Sequence, residues 1–197
     1  MAELKKGVVG VDLAGSPKRV TGLCYLDPAL RCSATRARSD EEILSFVQRF
    51  DPRVVAVDAP LSSPPPGESM RKCDRDLKRM GLRPLPPVLG GMRMLTERAV
   101  KLKDSLSGLG YEVIEVFPRG AQKILGLPSK KDRRGLRAGL ASLGLKGIPE
   151  DADIHVLDAA TCALVGLLYL RGAYVAVGEP GEGVIVMPRS PERWSSR

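Results

Sequence analysis

Two apolar segments that each end in an aspartate constrain this chain more than any other feature. Residues 8–12 read Val-Val-Gly-Val-Asp, and residues 54–58 read Val-Val-Ala-Val-Asp. Continuous apolar runs of this length are typical of parallel strands that are buried on both faces. Ligand sites in open α/β sheets lie beyond the carboxyl ends of the strands, so we expect Asp12 and Asp58 to face each other at that edge.

The remaining pattern predicts one α/β domain, in which a β-meander and later parallel strands form a mixed central sheet. Helices are expected on both faces of the sheet, and Ser39 with Glu42 has the capping-box spacing that begins the first helix. The predicted strands are residues 7–13, 19–26, 30–35, 54–57, 111–117, 173–177 and 183–187. The predicted helices are residues 39–50, 68–80, 95–109, 120–127, 133–143 and 151–170. Residues 62–91 are too few for a core of their own and are expected to form a helical insertion. The domain then spans residues 1–188, followed by a polar tail at 189–197.

The late apolar helix carries a third candidate carboxylate. His155, the only histidine of the chain, and Asp158 are three residues apart and therefore lie on one helix face. Because the rest of this helix is apolar, we expect that face to turn inward near the strand ends. Glu115, within another apolar strand, is a fourth candidate, and a salt bridge to Arg71 or Arg119 is the alternative role for it.

Three or four carboxylates at one end of a sheet suit a divalent cation. Carboxylates placed side by side repel one another unless a cation or a shared proton joins them. Mg²⁺ and Mn²⁺ prefer oxygen ligands and keep several waters. Two such ions about 3.5–4 Å apart can activate water and stabilise the leaving oxygen in phosphodiester cleavage.

The chain is strongly basic, with 31 Lys and Arg against 23 Asp and Glu and a formal net charge of +8 at pH 7. This balance favours a polyanionic partner such as nucleic acid. Basic segments at residues 71–83 and 130–137 supply candidate phosphate contacts, and solvated helix faces are the alternative. The candidate contacts are Arg71, Arg75, Lys130 and Lys131.

The cysteine pattern and the absence of asparagine indicate the kind of organism and the cellular compartment in which the protein acts. The four cysteines show no CxxC spacing, which argues against a zinc site or a redox motif. The absence of Asn indicates a thermophilic source, in which a disulfide between Cys24 and Cys32 is worth testing. The N-terminal apolar run is too short for a signal peptide, and no run reaches about 18 apolar residues, so we expect a cytoplasmic protein without membrane contact.

These motifs together resemble the DUF429 family, which is described as a family of predicted nucleases with a ribonuclease-H-like fold. The resemblance rests on Gly-Val-Asp-Leu-Ala at 10–14, Val-Asp-Ala-Pro-Leu at 57–61, Glu-Val-Phe-Pro at 115–118 and His-Val-Leu-Asp-Ala-Ala at 155–160. Residues 71–74 resemble the Arg-x-Cys-Asp element of that family, and the late helix is similar to that of RuvC- and YqgF-type resolvases.

What the resemblance implies is a three-layer fold over residues 7–188 and a metal-dependent nuclease activity. Asp12 and Asp158 would hold Mg²⁺ or Mn²⁺, and Asp58 and His155 would complete the set of ligands. Ribonucleases H also place a Glu on the first helix. Glu41 and Glu42 lie near the start of that helix here, and one of them serves the cap, so the fourth carboxylate is left open.

Three functions fit these features. The leading hypothesis is a nuclease that hydrolyses phosphodiester bonds in DNA or RNA with the help of one or two divalent metal ions. The first alternative is a non-catalytic scaffold of the same fold that binds RNA or a protein through its basic surface. The second is a phosphate- or nucleotide-binding domain related to actin-like ATPases, for which 197 residues leave no room for the second domain that encloses the nucleotide. A homodimer is left open.

Overall fold

A seven-stranded mixed sheet with six helices makes up the computed structural model, which describes residues 6–190. The strands are β1 (Val8–Asp12), β2 (Thr21–Leu26), β3 (Cys32–Ala37), β4 (Val54–Val57), β5 (Glu112–Val116), β6 (Tyr174–Glu179) and β7 (Gly183–Pro188). The helices are α1 (Asp40–Phe50), α2 (Lys72–Arg79), α3 (Gly90–Gly108), α4 (Pro118–Ile124), α5 (Arg133–Ser142) and α6 (Ile154–Leu170).

The order across the sheet is β3-β2-β1-β4-β5-β7-β6. β1, β4, β5 and β7 run parallel to one another, whereas β2, β3 and β6 pair antiparallel with their neighbours. This arrangement confirms the predicted three-layer fold, in which a meander precedes the parallel strands. The terminal hairpin is present as predicted, and β7 joins it to the sheet beside β5. None of the helices within residues 6–190 combines the length and the apolarity that crossing a membrane requires.

The two faces of β1 and β4 fill two separate cores, because alternate side chains of a strand point to opposite faces. One set packs with α1 and α3, and consists of Val9, Val11, Val55 and Val57. The other set packs with α6, and consists of Val8, Val54 and Ala56. Burial on both faces explains why both strands are apolar up to their last residues. Asp12 follows Gly10, and Asp58 follows Ala56, among the alternate residues whose side chains point towards α6.

Glycines let α6 lie unusually close to the sheet. A Cβ atom at Gly10 would lie 2.0 Å from the carbonyl oxygen of Ala159, and one at Gly22 would lie 2.0 Å from that of His155. No larger side chain fits at either position unless the helix moves. Gly22 is also the cross-strand partner of Asp12. The close approach therefore brings the first turn of α6 to the end of β1.

We expect Gly10→Ala to lower the free energy of unfolding by about 2–3 kcal/mol, because the added methyl group must push α6 away from β1. Urea denaturation followed by circular dichroism measures this change. Gly181→Ala is the matched control, since a Cβ atom there would meet nothing within 4 Å. Equal stability of the two variants would contradict the close packing of α6.

Local interactions explain where the boundaries differ from those expected. α6 begins at Ile154 rather than at residue 151, because the side chain of Asp153 accepts a hydrogen bond from the Val156 N–H and caps the helix. β3 begins at Cys32 rather than at residue 30, because Leu30 has a φ of 65° and belongs to the preceding turn. α3 begins at Gly90, ahead of the predicted residue 95, in spite of the low helix propensity of glycine.

The remaining expectations concern the cysteines and the ends of the domain. All four cysteines have free thiols. Cys24 pairs with Ala34 and Cys32 with Leu26, so the two sulfurs lie diagonally on one face of the β2–β3 ladder. They are not joined by a disulfide in the structure. The domain bounds at 1–188 and the insertion at 62–91 stay predictions. From residue 191 onward the predicted polar tail lies outside the described residues.

Candidate active site

The edge where β1 and β4 end places Asp12 beside Asp58. The N–H of Asp58 donates to the carbonyl oxygen of Val11 at 2.8 Å, so the parallel ladder continues to the two aspartates. Both carboxylates lie on the face that α6 covers, and both are half-buried. The structure therefore brings together the pair that the strand pattern predicted.

α6 adds His155 and Asp158 to this edge. Nδ1 of His155 lies 2.7 Å from Oδ2 of Asp12, and this hydrogen bond raises the pKa of His155. Oδ1 of Asp158 accepts a hydrogen bond of 2.7 Å from Nε2 of Gln122 in α4. The same amide donates to Oγ1 of Thr161 at 3.1 Å, which fixes its orientation. Sequence reasoning missed Gln122, because nothing in the local pattern links α4 to α6.

The charges of neighbouring aspartates, together with burial, disfavour the ionised forms of Asp58 and Asp158. Burial and the charges of Asp12 and Asp158 raise the pKa of Asp58 well above its usual range. Burial and the charge of Asp12 raise the pKa of Asp158 to about 6. Like charges that are held together in this way are stabilised by a cation between them.

The donor set of this carboxylate cluster (Asp12, Asp58 and Asp158) fits a divalent cation that prefers oxygen ligands. Within residues 6–190, no group of three or more His, Cys, Asp or Glu side chains is placed so that it could hold a metal ion. The hydrogen bonds with His155 and Gln122 engage one oxygen of Asp12 and one of Asp158. The fit therefore rests on the number and kind of donors and on their mutual repulsion.

Glu115 does not join the carboxylate cluster, which corrects its prediction as a catalytic residue. It pairs with Val57 on the β4–β5 ladder, so its side chain leaves the sheet on the face opposite to that of Asp58. There Arg71 donates to both of its oxygens, at 2.7 and 2.6 Å. Of the two roles that the sequence left open for Glu115, the salt bridge to Arg71 is the one observed.

Arg71 is likewise corrected, because a phosphate contact needs an exposed guanidinium. Its side chain is fully buried and donates to Asp74 as well as to Glu115. Arg75 is partly exposed, but it pairs with Glu68 and donates to the carbonyl oxygen of Met70. Both guanidinium groups are therefore already engaged by acceptors within the protein.

Two adjoining cavities lie at this edge of the sheet. A cavity of about 260 Å³ is lined by the carboxylate cluster, Gln122 and several other side chains. A larger cavity of about 670 Å³ shares the basic residues Arg83, Arg119 and Lys130 with it.

We call the larger cavity the basic groove. Its cations are Arg83, Arg119, Lys123, Lys130 and Lys131. Among the described residues that line the groove none is acidic, and none of these five cations forms an ion pair with a residue in 6–190. The groove contains the predicted Lys130 and Lys131, whereas sequence reasoning did not single out Arg83 and Lys123 and gave Arg119 a different role.

We expect Asp158→Asn to stabilise the metal-free protein at pH 7.5 by on the order of 1–2 kcal/mol, after allowance for its partial exposure. The pKa of Asp158 is about 6 in the fold and about 4 in an unfolded chain. The folded state therefore binds more protons between these values, and the stability of the wild type falls as the pH rises through this window. Thermal unfolding in EDTA at pH 4 and pH 7.5 measures the difference.

Asp104→Asn is the matched control for this prediction, because Asp104 is exposed on α3 and forms no ion pair within residues 6–190. The control should leave the stability unchanged at both pH values. A gain for Asp158→Asn that is as large at pH 4 as at pH 7.5 would show that charge repulsion is not its cause.

The chain is similar in fold to solved structures of RuvC. The structure of Thermus thermophilus RuvC aligns with a TM-score of 0.50 at 18% identity, over 84% of this chain and 96% of that chain. A second structure, T. thermophilus RuvC in complex with a Holliday junction substrate, aligns with a TM-score of 0.49 at the same identity and coverage. None of the curated proteins matches the chain.

At this identity the first likeness shows the fold alone, which is the ribonuclease-H-like arrangement expected from the strand and helix order. A family model described as "Protein of unknown function (DUF429)" matches residues 10–182, which is most of the chain. The match spans the strands and the helix that carry the carboxylate cluster. The chain therefore belongs to the DUF429 family.

Proposed function

We propose that this protein is a metal-dependent nuclease that hydrolyses phosphodiester bonds in nucleic acid. The observation that carries the proposal is the junction between the carboxylate cluster and the basic groove. A polyanion held by the groove brings its phosphates to three carboxylates that already repel one another. A phosphate that meets these carboxylates needs a cation between them, whereas phosphates that stay in the basic groove bind without a metal ion.

Asp12, Asp58 and Asp158 are the residues that would hold Mg²⁺ or Mn²⁺, in one or two positions. When bound, such an ion activates water and stabilises the leaving oxygen of a phosphodiester. His155 donates its Nδ1–H to Asp12, since a carboxylate only accepts, and so orients that side chain. Gln122 holds Asp158 in the same way. Lys130 and Lys131 bind phosphates of the substrate strand in the basic groove.

The site supports this reaction better than the fold does, because one fold hosts many activities. Free thiols at all four cysteines suit a reducing cytoplasm, where we propose that the protein acts. Whether the substrate is DNA or RNA is decided by contacts with the sugar 2′-hydroxyl.

A cleavage assay tests the proposal. Labelled single-stranded and double-stranded DNA and RNA are incubated with the protein in Mg²⁺, in Mn²⁺ and in EDTA. We expect cleavage with at least one of the two ions and none in EDTA. Nucleic acid binding without cleavage in either ion would overturn the proposal in favour of the non-catalytic scaffold.

We expect Lys130→Ala/Lys131→Ala to weaken nucleic acid binding and to reduce the slope of log K against log salt concentration by about 2, because two phosphate contacts are lost. Fluorescence anisotropy in EDTA at several salt concentrations measures both effects. Lys101→Ala/Lys146→Ala removes the same charge from exposed positions outside the groove and is the matched control. An equal change in slope for both pairs would mean that net charge, and not the groove, binds the ligand.

A further inference from the structure

The walls of the carboxylate cavity differ in their chemistry. Besides its carboxylates, the lining includes the cations that it shares with the basic groove and apolar side chains, among them Leu85, Met92 and Leu95. Leu85 is 66% exposed. Four of the seven large hydrophobic side chains that are exposed within residues 6–190 lie in the segment 85–94, namely Leu85, Val88, Leu89 and Met94. We call residues 85–94 the apolar wall.

The apolar wall lies beside Asp12 and is held in place. A Cβ atom at Gly15, in the turn that follows β1, would lie 3.4 Å from the carbonyl oxygen of Gly91 and 3.4 Å from the backbone nitrogen of Leu95. Oγ1 of Thr96 is 2.8 Å from the carbonyl oxygen of Met92 and 3.2 Å from that of Pro87. Through Thr96, both the loop before α3 and the first turn of α3 are fixed in position. The segment therefore holds Leu85 and Met92 in the lining of the carboxylate cavity, and its other exposed hydrophobic side chains continue from there.

We infer that this protein selects unpaired nucleic acid strands, with the phosphates in the basic groove and the bases against the apolar wall. This inference rests on the proposed function and names its substrate class. In a duplex the bases are stacked on one another, and mainly the backbones face a protein. An unpaired strand offers phosphates and open base faces at the same time. A cavity whose lining includes both cations and apolar side chains matches that pair of surfaces.

Charge distribution favours this occupant over a protein. The apolar wall is continuous with a groove whose described lining carries five cations and no acid. A second copy of this chain would bring further positive charge, since the chain has a net charge of +8. A strand of nucleic acid neutralises the groove and covers the apolar side chains in one binding event. Leu and Met present soft surfaces that accept any base without reading its edges.

Binding of three probes to the wild-type protein in EDTA tests the inference. The probes are a labelled single strand, a blunt duplex that contains the same sequence, and an abasic strand of equal length with phosphates but no bases. We expect the single strand to bind at least about tenfold more tightly than either of the others, since bases that cover the apolar wall remove apolar surface from water. Equal affinity for the single strand and the abasic strand would overturn the inference.

A pair of variants separates the apolar wall from general effects. Leu85→Ser/Met92→Ser should weaken single-strand binding about tenfold and leave duplex and abasic binding unchanged. Leu109→Ser/Val175→Ser alters two exposed hydrophobic residues that line neither cavity and should change nothing. Equal loss for all three probes, or no loss at all, would contradict the role of the wall.

Two further outcomes tell this inference apart from the proposed function. If Lys130→Ala/Lys131→Ala weakens binding while Leu85→Ser/Met92→Ser does not, the inference fails and the nuclease proposal stands. If the wild type binds none of the probes, the proposed function fails first. Light scattering that shows a wild-type dimer, dissociated by Leu85→Ser/Met92→Ser, would assign the apolar wall to self-association and overturn the inference.

Discussion

Asp12→Asn is expected to lower metal-dependent cleavage by more than about 100-fold. Loss of a residue that only orients a metal ligand costs about 10–100-fold, and loss of a ligand itself should cost more. Asp12 is the member of the carboxylate cluster that touches His155 and contributes to the raised pKa of both Asp58 and Asp158. Asn keeps the size of the side chain but removes the charge that attracts the cation. Initial rates on the best substrate in saturating Mg²⁺ or Mn²⁺ measure the loss.

The matched control is Asp104→Asn, which removes one carboxylate from an exposed position on α3. It should retain the full cleavage rate. Thermal unfolding should show that Asp12→Asn is folded, because the change removes repulsion from the carboxylate cluster. A folded Asp12→Asn protein that cleaves as fast as the wild type would remove Asp12 from the catalytic site.

Arg71→Ala is expected to have the largest effect on stability, with a loss of about 3–5 kcal/mol in the free energy of unfolding. Arg71 is fully buried, and its guanidinium lies between Asp74 and Glu115 at 2.9 and 2.6 Å. Its removal leaves two buried carboxylates without a cation. Glu115 also accepts a hydrogen bond from the N–H of Leu61, so the segment that follows Asp58 loses a fixed anchor. Urea denaturation at pH 7.5 measures the loss.

Arg75→Ala is the control for this prediction. Arg75 lies on the same helix, but its side chain is 39% exposed and pairs with Glu68 at the surface. Surface pairs contribute about 0–1 kcal/mol, so this variant should remain close to the wild type in stability. Similar losses for the two arginine variants would show that the buried ion cluster contributes no more to the free energy of unfolding than a surface ion pair does.

The main features of the fold and half of the site follow from local sequence signals. Asp12 and Asp58 could be predicted because a strand buried on both faces must be apolar, and the first charged residue marks its end. Parallel pairing then places the two carboxylates side by side. His155 and Asp158 could be predicted because a charged turn on an otherwise apolar helix has to meet either solvent or a site.

Other parts of the site depend on contacts that no local pattern encodes. The pairing of Arg71 with Glu115 joins positions 44 residues apart. The register Val57↔Glu115 directs Glu115 away from the carboxylate cluster, and that register can be known only once the ladder is aligned. Gln122 was missed for the same reason, since its amide reaches Asp158 only because α4 and α6 pack together.

The basic groove shows a further limit of sequence reasoning. A run such as Lys130-Lys131 is visible in the sequence, whereas Arg119 is isolated and Arg83 is only the last residue of the basic segment 71–83, so neither is marked as a contact. The fold collects them along one cavity. Predictions from charged segments alone therefore selected Arg71 and Arg75, whose charges are already paired within α2 and its neighbours.

The most direct test of the central claim, that the carboxylate cluster holds a catalytic divalent ion, is the anomalous scattering of a crystal soaked in Mn²⁺. A peak in the anomalous difference map, bounded by the carboxylates of Asp12, Asp58 and Asp158, is the predicted result. No peak at this position in a crystal soaked at millimolar Mn²⁺, or a peak at another site only, would contradict the account.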